Sequence, residues 1–239
     1  MKRRILIFAV CIACSIQNAQ GQIADVGYYL DSLKVELQKE WPKNRTINIV
    51  FHGHSVPAGY FRTPVVNTFA AYPNLVMQKI KAIYPLAVVN TIVTSIGGEN
   101  SVRGAARFDD EVLTHNPDVL FIDYALNDRG VGLEKSYAAW DEMIKKAKNK
   151  NIEVLLLSPS PDQREEYENP DNQLKQHTNQ IIQLAKENEV GFVDSYKAFE
   201  FLYSARAQLV KYMSQVNHPN EKGHELIASE IIKWFVDVE

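Results

Sequence analysis

Val119-Leu120-Phe121-Ile122 is a run without a single polar side chain. Successive strand residues point to opposite faces, so a strand of this kind must be covered on both sides, as in a parallel sheet. Four more short runs rich in apolar and β-branched residues fall at 47–51, 87–93, 152–157 and 190–193. Segments with helical periodicity separate them. Residues 26–39 read as an amphipathic lead-in helix, 67–84 as a helix stopped by Pro85, and 101–115 as a third. Over 134–148, Tyr137, Trp140, Ile144 and Ala147 share one face; a later helix stacks Leu174, Thr178, Ile181 and Ala185. The last helix carries Ile227, Ile231 and Trp234. Strands and helices in this alternation predict an α/β fold, a doubly wound and mostly parallel five-stranded sheet with right-handed crossovers.

The first residues stand outside that pattern. Lys2-Arg3-Arg4 precedes an apolar run, 5–16, too short to span a bilayer, and Ala19-Gln20-Gly21 offers small residues for a peptidase. This predicts a secretory signal peptide over 1–21 and a single domain over 22–239, in a periplasmic or secreted protein. Cys11 and Cys14 both fall inside the signal, so a mature chain has neither a disulfide nor a thiol nucleophile. Lipidation of Cys14 is the weaker alternative, because the usual leucine three positions earlier is Cys11. Losing Lys2, Arg3 and Arg4 lowers a formal charge of −3 by three more units. An acidic chain without a basic tract is not expected to bind nucleic acid or an anionic membrane, and no second segment is long and apolar enough for membrane insertion.

In a doubly wound sheet, reactive groups gather beyond the carboxyl ends of the strands. Phe51-His52-Gly53-His54-Ser55 puts a serine hydroxyl on a turn directly after the first strand. Asn217-His218-Pro219-Asn220 puts an imidazole on a turn that opens the last helix. Ser55 is the candidate nucleophile and His218 the base that takes its proton. The loop Ser95-Ile96-Gly97-Gly98-Glu99-Asn100 and the loop Asp123-Tyr124-Ala125-Leu126-Asn127-Asp128 supply donors. With the Ser55 N–H, Gly98 and Asn127 complete a candidate oxyanion hole.

These blocks resemble the SGNH, or GDSL-like, hydrolase superfamily. Gly53-His54-Ser55 stands where the family usually has Gly-Asp-Ser, followed in order by Ile96-Gly97-Gly98-Glu99, by Pro117-Asp118-Val119 running to Asn127-Asp128, and by Asn217-His218-Pro219-Asn220. The resemblance covers about residues 46–235. It implies a flavodoxin-like three-layer α/β/α sandwich and cofactor-free, metal-free ester hydrolysis through an acyl-serine intermediate. The family's aspartate three residues before its histidine is replaced here by Gln215. A glutamine or a backbone carbonyl can hold the ring, but neither supplies the acid's charge. The favoured machinery is therefore a Ser55–His218 dyad oriented by Gln215 or a backbone carbonyl, the alternative being an acid from elsewhere in the chain.

Bland roles compete at several positions. Ser55 and Asn127 suit ordinary turns, Gly97 and Gly98 a tight turn, and His224 reads as a packing residue. His54, Tyr60, Arg103 and Arg129 are candidate substrate contacts. The arginines, with Arg107, equally suit surface ion pairs, and Tyr60-Phe61 equally suit core cover. His52 and His54, with His115 and His218, would also suit a metal site, but no acidic residue falls at ligand spacing. The expected substrate is a small-molecule or glycan ester, with acetyl groups on sugar hydroxyls favoured by the resemblance. The alternatives are a lipase, lysophospholipase or thioesterase of the same superfamily, an acyltransferase, and an inactive carbohydrate-binding relative.

Overall fold

The computed structural model describes residues 21–167, 169, 171–203 and 206–237. The signal-peptide expectation, with Cys11 and Cys14, lies outside these residues. Five strands, β1 (Thr46–Gly53), β2 (Val88–Val93), β3 (Val119–Asp123), β4 (Glu153–Leu157) and β5 (Gly191–Val193), form one sheet in the order β2-β1-β3-β4-β5. Every pairing in it is parallel. β3 is central and buried at all five positions, as its apolar run requires.

Alternation along the strands divides the core in two. Ile47, Ile49, Phe51, Val119, Phe121, Leu155 and Leu157 face one layer, which includes helices Asp31–Leu37, Tyr72–Ile83 and Glu221–Ile232. Val50, Leu120, Ile122, Val154 and Leu156 face the other, with helix Leu133–Lys148 and much of Gln173–Asn188. The three-layer α/β/α sandwich is thus present. Phe51 and Phe121 stack with centroids 4.6 Å apart where β1 meets β3, a contact that adds to their burial.

Three expectations need correction. The helix foreseen over 101–115 breaks into Ser101–Ala106, Phe108–Glu111 and a 3-10 turn, Leu113–His115. The break falls at Arg107 (φ −111°, ψ 8°), whose side chain turns inward onto Glu99. The helix foreseen from 67 starts at Tyr72, after a 3-10 turn, Thr68–Ala70, capped by the Asn67 side chain. Trp234 lies in a 3-10 turn, Lys233–Phe235, beyond the last α-helix. A short antiparallel pair, β6 (Met213–Gln215) and β7 (His218–Pro219), was not foreseen. Among the described residues no helix is long and apolar enough to cross a membrane.

His52, His177 and His224 are sealed in the interior. Burial is the main cause of their lowered pKa values, about 4, about 4 and about 3, against an ordinary 6.5. The unfolded chain therefore binds more protons than the folded one between about pH 6.5 and 4. Stability is full above that window and falls as pH drops through it, by up to about 1.4 kcal/mol per unit for each imidazole. Asp128 and Glu153, raised chiefly by burial, act in the opposite sense. Replacing one histidine isolates its share: His177→Gln should flatten the slope of unfolding free energy against pH in urea titrations. An unchanged slope would show that the imidazole titrates normally. Phe121→Ala should cost about 3–5 kcal/mol in the same assay at neutral pH.

Candidate active site

β1 ends in a residue that can only be glycine. A Cβ on Gly53 would lie 2.4 Å from the Asp123 carbonyl oxygen and 2.9 Å from Pro57 Cγ. That close approach lets His54 N–H donate to Asp123 O (3.2 Å), one step beyond the strand. The chain then turns: Gly59 N–H donates to Val56 O (2.9 Å) and Tyr60 N–H to Ser55 O (3.0 Å). Ser55 is left at the carboxyl end of the sheet with 8% of its surface exposed. In the order β2-β1-β3-β4-β5, β1 and β3 flank the switch point, where this fold class places ligands.

The β6–β7 pair brings His218 back to that point. Its position is fixed from behind by Asn220, whose side chain caps helix Glu221–Ile232 by accepting from Lys222 N and Gly223 N. Ser55 Oγ and His218 Nε2 are 2.8 Å apart. His218 Nδ1 lies 3.0 Å from the Phe61 carbonyl oxygen, which can only accept. Nδ1 therefore carries the proton, and Nε2 is the lone pair facing the serine hydroxyl. Burial holds the His218 pKa below its ordinary value, against the Phe61 bond, with His54 adding to the lowering.

Gln215 also meets Nδ1, but through Nε2, a donor that offers a protonated Nδ1 no acceptor, while its Oε1 accepts from Thr63 N–H (3.1 Å). Exchanging the amide oxygen and nitrogen would turn a donor toward Thr63 N–H. The carboxamide thus ties the 61–63 segment to the hairpin, and the Phe61 carbonyl is the acceptor that sets the tautomer.

The loop after β2 is anchored on the same strand end, since Ile96 N–H donates to Gly53 O (3.0 Å). Gly98 takes φ +73°, a left-handed conformation that disfavours any side chain. Asn127 sits in a single helical turn, Ala125–Asp128, directly beyond β3, and its Nδ2 donates to the Glu99 carbonyl (2.9 Å). One amide hydrogen of Asn127 is thereby committed and one is left. Among the described residues, no hydrogen bond uses the Ser55 or the Gly98 N–H.

The candidate substrate contacts divide. Tyr60 is partly exposed, with its ring 6.5 Å from that of His218, and a side chain on Gly97 would meet it at 3.2 Å. It stands between the glycine loop and His218. Arg103 is exposed on helix Ser101–Ala106. Arg129 is committed to Asp162 (2.7 Å) and Glu165 (2.6 Å), so it is no free cation for an anionic substrate. His54 has no exposed surface, so it cannot touch a substrate. Its Nδ1 accepts from Val56 N–H (3.2 Å). Its Nε2 lies 3.3 Å from Asp123 Oδ1, within ion-pair reach but too poorly aligned for a hydrogen bond.

The His-x-His pair does not form a metal site. His52 bonds Thr94 Oγ1 (2.8 Å) and Tyr124 OH (3.0 Å) in one layer. His54 faces Asp123 and Tyr72 in the other, Asp123 Oδ2 accepting from Tyr72 OH (3.0 Å). His115 lies at the opposite end of the sheet, where its carbonyl accepts from Asn48. Among the described residues no group of three or more His, Cys, Asp or Glu is placed to hold a metal ion.

Sequence reasoning allowed for a backbone carbonyl beside His218 but did not single out Phe61, which no side-chain pattern marks. It also missed the side-chain roles of Glu99, Arg107 and Tyr124. Glu99 stood in a motif chosen for its glycines.

Residues 51–226 match the GDSL-like Lipase/Acylhydrolase family. No curated protein matches the chain. Among solved structures, the fold is similar to a two-domain esterase active on acetylated mannans, with TM-score 0.71 and 21% identity, covering 90% of this chain. The chain spans 54% of that esterase's length. It is also similar to an acetylxylan esterase from Geobacillus stearothermophilus, with TM-score 0.67 and 21% identity, over 79% of this chain and 94% of that one. A further acetyl xylan esterase matches with TM-score 0.63 and 23% identity, over 77% and 98%. At these identities the likeness carries the fold.

Proposed function

Because the chain belongs to the GDSL-like lipase/acylhydrolase family, we propose that it is an ester hydrolase, and specifically an exported carbohydrate esterase. It removes small acyl groups, acetyl above all, from sugar hydroxyls through an acyl-serine intermediate. The observation that carries this reading is the 2.8 Å approach of Ser55 Oγ to His218 Nε2. The acetyl specificity is supported by the similar structures, which are described as esterases of acetylated mannan and xylan.

In the reaction, His218 Nε2 takes the Ser55 proton as Oγ bonds to the acyl carbon. The carbonyl π pair moves onto oxygen, where the Ser55 and Gly98 N–H groups and the remaining Asn127 amide hydrogen receive the charge. Each such donor contributes roughly 3 kcal/mol to the transition state. Collapse breaks the bond to the sugar oxygen, which leaves with the proton from Nε2. Water then repeats the sequence on the acyl-serine, releasing acetate. Throughout, the Phe61 carbonyl holds Nδ1–H with a dipole in place of the usual carboxylate charge.

Acetate release from acetylated xylan and mannan oligosaccharides should fall about 10²–10⁴-fold in Ser55→Ala and His218→Ala. Gln215→Ala should lose less than His218→Ala, because the ring keeps its Phe61 partner; equal losses would make Gln215 as necessary as the base. Nitrophenyl esters of rising chain length should lose turnover beyond the shortest acyl groups, and a preference for long chains would favour the lipase reading.

The low His218 pKa also fixes a pH limb. The base is deprotonated to lower pH than an ordinary imidazole, so kcat/KM should reach half its plateau below pH 6.5. A midpoint above that value would contradict the assignment of His218 as the base.

A further inference from the structure

Glu99 has 2% of its surface exposed and lies between Gly98 and helix Ser101–Ala106, which ends at Arg107. Arg107 Nε donates to both carboxylate oxygens (3.0 and 3.1 Å), and Tyr124 OH donates to Oε2 (2.9 Å). Arg107 Nη2 also donates to the Thr94 carbonyl (2.6 Å), at the exit of β2. Tyr124 OH meets His52 Nε2 (3.0 Å), and His52 Nδ1 meets Thr94 Oγ1 (2.8 Å). The cluster therefore grips both ends of the 94–99 loop and the residue that follows β3. The Glu99 backbone carbonyl is the group to which Asn127 Nδ2 is bonded (2.9 Å). Two candidate oxyanion donors, the Gly98 N–H and the Asn127 amide, are thus referred to one residue.

We propose that Glu99 is a positioning residue: clamped by Arg107 and Tyr124, it sets the Gly98 N–H and the Asn127 amide relative to each other and to Ser55. The inference rests on the oxyanion role given above to these two donors. A buried carboxylate held by Arg107 Nε and Nη2 and by Tyr124 OH has little rotational freedom, so the loop cannot relax without breaking an ion pair inside the protein. The interruption of the helix at Arg107 is the local consequence. Continuing the helix would carry the guanidinium away from Glu99. Only one arm of Arg107 reaches outward, to exposed Glu111 (2.8 Å), which supplies an internal control.

The test compares Glu99→Gln and Tyr124→Phe with Glu111→Gln in the full chain, by two readouts. The first is steady-state hydrolysis of an acetylated xylooligosaccharide. The second is the ¹⁵N–¹H spectrum, followed at the Gly98 backbone amide and the Asn127 side-chain amide. Glu99→Gln should lower kcat about 10- to 100-fold, the scale of a displaced catalytic geometry, with KM little changed, and should shift both amides. Tyr124→Phe, which keeps the ring and the ion pair, should do the same to a lesser degree. Glu111→Gln should do neither. A purely structural role would lower the melting temperature while leaving kcat per folded molecule and both amides in place, and that result in Glu99→Gln and Tyr124→Phe would overturn the proposal. Turnover that survives in Ser55→Ala would sink the esterase mechanism instead, while the amide shifts would still report on the clamp.

Discussion

The close approach of β1 to β3 at Gly53 is the constraint on which the rest of the site depends. Gly53 pairs with Asp123 at the last step of the β1–β3 register, and any side chain there would collide with the Asp123 carbonyl. The next residue uses the gained proximity to bond that same carbonyl. The oxygen of Gly53 meanwhile receives Ile96 N–H from the loop beyond the other neighbouring strand, β2. One residue without a side chain thereby fixes the serine turn, the glycine loop beyond β2 and the start of the loop that bears Asn127. Three separate stretches of chain meet because a parallel sheet delivers all of them to one rim.

His218 is positioned by a different chain of contacts, which returns to the same strand end. The Phe61 carbonyl orients His218, and the Phe61 ring stacks on His224 with centroids 5.0 Å apart. His224 Nδ1 accepts from Tyr72 N–H (3.1 Å), and Tyr72 OH donates to Asp123. A fully buried histidine, His224, therefore helps to fix His218. This offers a physical account of how an aspartate can be absent at position 215. The ring is held by a carbonyl whose own segment is packed on two sides and tied to the hairpin through Thr63 and Gln215. What a carbonyl lacks beside a carboxylate is the negative charge that would stabilise a protonated imidazole, a difference of energy rather than of geometry.

Legibility in the sequence followed the range of the interactions. The apolar strands and the amphipathic helices could be read because their burial imposes a local period, and β3 is the clearest instance. The helix over 101–115 was misread because the residue that ends it acts at a distance: Arg107 leaves helical geometry to reach Glu99. The β6–β7 pair was invisible for a similar reason. Two- and three-residue strands carry no period, so nothing local marks their pairing. His54 and Arg129 looked like substrate contacts because a charge or a ring in a loop near a motif gives no sign of which way it points.

The order of chemical groups along the chain, a serine after the first strand, a glycine loop after the second, an asparagine after the third and a histidine before the last helix, was settled by the sequence itself, together with the alternation that makes the layers. Only the folded chain decided which of those groups face one another, which nitrogen of His218 is left free, and that a main-chain oxygen stands where a carboxylate would be expected. Those outcomes depend on contacts between residues far apart in the sequence and on backbone atoms common to every residue, so residue identities alone do not encode them.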